Sequence, residues 1–226
     1  MKQKMIALSA GVIVVLVGAY AAYDYFAGNH VTVQEVIPAS ASVQGPGGKA
    51  VEAGKLNGQW NIQPESKVYF SVTTSKETVN FESGNVEGQW TLNIADPSKN
   101  AASAALDIAK VQSGNATRDS HVAGEKFLNA AAFPKAEFKA KSFSGLPKEW
   151  KEGEKVSFEL PGTLTVKGIA KDVTFKSDAL YSDGTIKMEG SSVVTFDDFG
   201  LKNPHAVVVD TENNIKLQLR LVLAQK

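Results

Sequence analysis

Between residues 215 and 223 every second position is Ile or Leu: Ile215, Leu217, Leu219, Leu221 and Leu223, set against Lys216, Gln218 and Arg220. Successive side chains of an extended chain point to opposite faces, so this segment is a strand with one apolar and one wet side. The same period recurs from Trp60 onward. Val68, Phe70 and Val72 alternate with Lys67, Tyr69, Ser71 and Thr73, and Trp90, Leu92 and Ile94 alternate with Thr91 and Asn93. Leu164 and Val166, then Val173 and Phe175, then Ile186 and Met188 repeat it. Turn residues separate the runs at 82–85, 182–184 and 212–214. No strand–helix–strand repetition suggests a parallel sheet. The period predicts an all-β domain of about eight or more antiparallel strands. One-sided strands must bury their apolar faces against each other, as a closed barrel or as a sandwich, and alternation alone does not choose. The one helical stretch is expected around residues 120–132, where Val122, Lys126 and Phe127 fall near one side and Pro134 forbids continuation.

The N-terminal part reads differently. Lys2 and Lys4 precede nineteen uncharged residues, 5–23. As a helix these span roughly 28 Å, close to the hydrocarbon thickness of a bilayer. A cleaved signal peptide could end at the small residues Ala19 and Ala21, whereas Tyr20, Tyr23, Tyr25 and Phe26 fit the interfacial belt of an uncleaved anchor. Either way the basic end stays in the cytoplasm and the remainder is exported. The sequence thus divides into a signal-anchor transmembrane helix over 1–26, a Gly-, Pro- and Ser-rich flexible linker over 27–57, and a β-domain over 58–226. The domain is then held on the extracytoplasmic side of the cell membrane by a single pass, or is secreted if the segment is cleaved. The Gly45–Lys49 stretch is not a phosphate loop: Ala50 stands where Ser or Thr is needed, and no strand precedes it.

Several function classes drop out. Formal net charge is +0, with 24 basic and 24 acidic residues, which argues against a nucleic-acid partner. Absence of cysteine excludes disulfides, thiol catalysis and thiolate metal sites. His30, His121 and His205 share no metal-ligand spacing, so no metal is expected. No Gly-x-Ser-x-Gly elbow is present. Of the basic residues only Arg118 and Arg220 are arginines, and Arg118 sits in an unusual polar run.

In that run Ser113, Gly114 and Asn115 are followed by Arg118, Asp119, Ser120 and His121, then by Lys126, Phe127, Phe133, Pro134 and Phe138. This order resembles the signature of the YceI-like family. Residues 162–168 with 171–174 resemble the family's central hairpin, residues 60–70 its first strand and residues 197–201 its late loop. The likeness covers about residues 58–226 in order. It implies an eight-stranded antiparallel lipocalin-like β-barrel with a short helical segment. It also implies a non-enzymatic binding protein that takes a polyisoprenoid or other long-chain lipid in its lumen.

Under that reading Trp60, Phe70, Trp90, Phe127, Phe133, Phe138, Leu164, Val166, Phe175 and Leu219 are candidates for the lumen wall. Equally, the aromatics could plug the barrel as a core. Arg118, Asp119 and His121 are candidates for a polar edge at the mouth, or for a loop-fixing cluster. Two other functions stay open: an interaction module with a filled barrel, and a lipid hydrolase or isomerase using His121 as base. No cofactor beyond a bound lipid is expected. Partners are the lipid and the membrane, and the oligomeric state stays open, a homodimer included.

Overall fold

The computed structural model describes residues 28–41, 48–204 and 210–225. The expected membrane anchor, most of the Gly-rich stretch and His205 lie outside them. Among the described residues no helix is long and apolar enough to cross a membrane.

Ten strands form one antiparallel sheet: β1 (Gly58–Ile62), β2 (Lys67–Thr74), β3 (Thr78–Ser83), β4 (Val86–Leu92), β5 (Ala101–Asp107), β6 (Lys135–Ala140), β7 (Lys155–Val166), β8 (Ile169–Ser182), β9 (Thr185–Thr195) and β10 (Thr211–Gln225). β10 pairs with β9 on one side and with both β1 and β2 on the other. β1 and β2 therefore run end to end as one kinked strand, and β3 and β4, which pair with them, form a second. Counted so, the sheet closes into a ring of eight neighbours, each next to its neighbour in sequence. The ring is a barrel and not a sandwich, as the resemblance implies. At the kink Ser66 is buried, and its hydroxyl lies 2.9 Å from the Val222 N–H and 3.2 Å from the Val222 carbonyl.

Two of the three expected turns are not reversals. Residues 82–85 span the break between β3 and β4, and residues 212–214 lie in a register irregularity inside β10. Only 182–184 is a hairpin, where Asp183 and Gly184 take positive φ, the two-residue turn whose twist matches the strands it joins. Lys167 and Gly168 do the same between β7 and β8.

The helix is displaced from its expected position. α1 (Ala53–Leu56) is short, and α2 runs Ala116–Ala123, not 120–132. Asn115 starts α2 by accepting the Arg118 N–H at 3.0 Å, and the chain leaves the helix at Gly124. The Asn115 cap explains the earlier start, and the chain turns extended at Gly124, ten residues before Pro134, which plays no part in it.

The segment expected as a flexible linker is held against the barrel over much of its length. Leu56 is 1% exposed and accepts the Trp60 indole N–H through its carbonyl. Residues 28–37 cross the outer face of the barrel. Glu189 of β9 accepts the Val36 and Ile37 N–H groups at 2.8 and 2.9 Å. Arg220 of β10 donates to the Gln34 carbonyl, and the Tyr69 hydroxyl of β2 lies 3.4 Å from the Gln34 N–H. Asn80 of β3 bonds both Asn29 and Val31. This cover explains why Tyr69 and Gln218, outward residues of strands, are buried. A protein beginning at residue 58 loses Leu56 from the core. Burial of one Leu side chain contributes about 1.5–3 kcal/mol. Chemical denaturation of proteins beginning at 28 and at 58 should differ by about that amount or more; equal midpoints would show that α1 and residues 28–37 add nothing.

The barrel interior is divided. At the end formed by α1, residues 93–100 and residues 141–154, Trp60, Phe143, Trp150, Phe158, Tyr181, Met188 and Leu223 pack into one buried cluster. Edge-to-face contacts link Trp60 to Tyr181 and Trp90 to Phe143, with centroids 6.3 and 5.3 Å apart. This half is a plug. The other half is open.

Candidate functional site

The open half holds a cavity of about 470 Å³, within the roughly 300–1,000 Å³ usual for small-ligand sites. Its wall is made by the inward alternates of the strands. β2 gives Val68, Phe70 and Val72, β3 gives Val79 and Phe81, and β10 gives Ile215, Leu217, Leu219 and Leu221. Leu164 and Val166 of β7, Phe138 of β6 and Phe175 of β8 complete it, with Trp90 at the floor. Phe138 meets Phe175 edge to face at 5.3 Å, and Phe70 stacks on Phe81 at 4.6 Å. Gly162 makes room for the first pair: a Cβ there would stand 2.3 Å from the Phe138 ring.

The mouth lies at the opposite end from the plug. It is bounded by the β2–β3 hairpin, by α2 and the turns after it, by the β7–β8 hairpin and by residues 196–204. Val122, Phe127 and Leu128 cover it from one side, and Phe196, Phe199 and Leu201 from the other. Arg118, His121, Thr74 and Thr211 bring polar groups to this edge. Such a chamber, apolar in depth with polar groups at one end, suits a long apolar molecule with a polar head.

Of the residues expected on the wall, Phe70, Trp90, Phe127, Phe138, Leu164, Val166, Phe175 and Leu219 line the cavity, and Arg118 and His121 reach its edge. Three candidates are elsewhere. Trp60 belongs to the plug, 0% exposed. Phe133 lies over the β7–β8 hairpin, where a Cβ on Gly168 would stand 2.8 Å from its ring. Asp119 turns away from the lumen. One of its carboxylate oxygens accepts the Ser113 N–H at 2.8 Å and the Ser113 hydroxyl at 2.6 Å. Ser113 is fully buried, and its hydroxyl oxygen in turn accepts the Arg118 Nε–H at 2.9 Å. The polar run is therefore chiefly a clamp that joins the strand end to α2, and only Arg118 belongs to both clamp and cavity. A guanidinium nitrogen of Arg118 also lies 3.9 Å from Glu77.

The far rim is fixed by Asp198. Its carboxylate accepts the Thr195 N–H at 2.8 Å and the Thr195 hydroxyl at 2.9 Å. These bonds, the backbone one foremost, hold its pKa below the ordinary value, with burial opposing. A depressed carboxyl pKa contributes stability above the unfolded value, and that stability is lost as pH falls through the folded value. The exchange protection of residues 195–201, taken relative to the intrinsic amide rate at each pH, should therefore fall as pH drops below about 4, and Asp198→Asn should flatten that dependence. A rim whose exchange ignores both changes is held by something else.

Comparison with known proteins supports the same architecture. A family model of the YceI-like domain matches residues 60–223. A UPF0312 protein of Pseudomonas putida (strain GB-1) is 28% identical over 139 residues, 58% of this chain and 68% of that one. Protein YceI of Salmonella arizonae is 31% identical over 91 residues, 40% of this chain and 44% of its own. Among solved structures, Burkholderia cenocepacia BcnA superposes with a TM-score of 0.59 at 20% identity, covering 71% of this chain and 98% of its own. A polyisoprenoid binding domain from Saccharophagus degradans, implicated in plant cell wall breakdown, also gives 0.59, at 12% identity over 74% of this chain and 98% of its own. At these identities the solved structures share the fold. Residues 28–37, which form a strap across the barrel, and α1 precede the matched region.

Proposed function

The chain belongs to the YceI-like domain family, and we propose that it binds or carries a long-chain isoprenoid or similar lipid outside the cytoplasmic membrane, to which it is tethered. The observation that carries this reading is the half-open barrel: an apolar chamber with a polar edge at one end only. The Saccharophagus domain, of the same fold and described as polyisoprenoid-binding, supports the choice of ligand class. Each methylene moved from water into such a wall contributes about 0.8 kcal/mol, and ordering the flexible chain offsets a good part of it. The charged segment 2–4 followed by the apolar segment 5–23 supports export and tethering.

A filled-barrel interaction module fits the plug but leaves the chamber without a purpose. A hydrolase or isomerase using His121 would need that imidazole held by a partner. In the fold it stands at the end of α2, in the cavity wall beside Val122. Protein stripped of lipid by unfolding and refolded in detergent-free buffer should take up a fluorescent polyisoprenyl probe at one molecule per barrel. Uptake that is absent, or that persists unchanged when the chamber is blocked, contradicts the proposal.

A further inference from the structure

The strap formed by residues 28–37 does more than cover one flank. Its course is directional. At Ile37 it is bonded to Glu189, midway along β9. At Asn29 it has reached the mouth, where its side-chain amide donates to the Asn80 carbonyl at 2.8 Å and to the Ser113 carbonyl at 3.1 Å. The Asn29 N–H lies 3.3 Å from Glu77 of the β2–β3 hairpin, and the Gly28 carbonyl lies 3.5 Å from Arg118. The chain toward the N-terminus thus departs from the cavity mouth, beside the residue that carries positive charge into its edge.

Only residues 24–27 separate Gly28 from the apolar segment 5–23. Four residues reach at most roughly 14 Å even when fully extended. The plugged end is much farther away: β7, with its twelve residues, advances roughly 30 Å along the axis of a barrel whose strands tilt by about 40°. We infer that the strap turns the cavity mouth toward the bilayer, making the rim of the mouth the membrane-facing surface of the protein. This rests on the proposed tether and deepens it. A lipid would then pass between bilayer and chamber without crossing open water. The rim has groups suited to that contact: Ile169, more exposed than almost any other large apolar residue described, stands in the β7–β8 hairpin with Lys167, and the exposed Lys126 lies in the turns after α2.

The chain lacks cysteine, so single labels can be placed cleanly. The full chain is reconstituted in vesicles containing a lipid with a nitroxide on its head group, with a fluorophore on Lys126→Cys at the mouth or on Lys99→Cys at the plugged end. Flotation of the vesicles reports tethering separately. The expected result is flotation of both proteins, strong quenching at 126 and little at 99. A double variant, Asn80→Ala with Glu189→Ala, removes the amide that donates to the Val31 carbonyl and the carboxylate that accepts the Val36 and Ile37 N–H groups, leaves the chamber untouched, and should lessen the difference while lipid content stays. Equal quenching at both labels in floating protein overturns the strap inference alone and leaves the tether standing. An unchanged difference in the double variant also overturns it. Protein that does not float refutes the tether, and the inference falls with it.

Discussion

Leu219→Trp should empty the barrel without unfolding it. Leu219 lies on the inward face of β10, between Leu217 and Leu221, and lines the chamber from a strand paired on both sides. Gly190 of β9 stands directly across from it, and a Cβ added there would already come within 3.2 Å of a Leu219 methyl. An indole at 219 must therefore project into the lumen, the one direction with space. Overpacking of this kind costs about 1–3 kcal/mol, which a barrel closed on itself and plugged at one end can absorb. Lipid content should drop to background, while far-ultraviolet circular dichroism keeps its β form. Full occupancy in a folded Leu219→Trp protein would mean that the lipid, if any, sits elsewhere.

The second large effect is on stability. Asp119→Ala removes the acceptor for both donors of Ser113, a residue with no exposure to water. Hydrogen bonds to a charged group contribute about 1.5–3 kcal/mol, and a buried donor left unpaired costs its desolvation as well. A loss of about 3 kcal/mol is expected, and for a chain of this length each kcal/mol lowers Tm by roughly 2–4 °C. Arg118→Lys should do less to stability, since one good side-chain bond, Nε to the Ser113 hydroxyl, is what a lysine fails to reproduce. Its effect should appear in lipid retention, because Arg118 also borders the cavity. The contrast separates clamp from site. Equal and small melting shifts in both variants would show that the clamp does not hold the loop.

How far these features were legible follows from the physics of each. Alternation exposed the wall, because a strand that faces a chamber and one that faces a packed core carry the same inward apolar residues. For that reason it did not distinguish Trp60 in the plug from Phe70 on the wall. The difference is one of depth along the barrel, fixed by α1 and residues 141–154 closing one end. Phe196, Phe199 and Leu201 reach the cavity from a turn, where no period marks them. Of the two readings of Asp119 the sequence leaves open, the structure takes the loop-fixing one, because a carboxylate beside an arginine reads alike whether it faces a ligand or caps a loop. Its partner Ser113 becomes visible only in three dimensions. The strap was missed for a different reason. Val31, Val33 and Val36 are half-buried against strands, and the bonds that hold them are made mainly by backbone groups, which composition does not reveal.

The most direct test is mass spectrometry of the organic extract from the full chain, purified without added lipid from the cells that make it, beside the Leu219→Trp variant. A long-chain isoprenoid or related lipid, near one per protein in the wild type and absent from the variant, is the predicted result. An extract with no lipid beyond background, or the same bilayer phospholipids in equal amount from both proteins, would contradict a lipid-holding barrel.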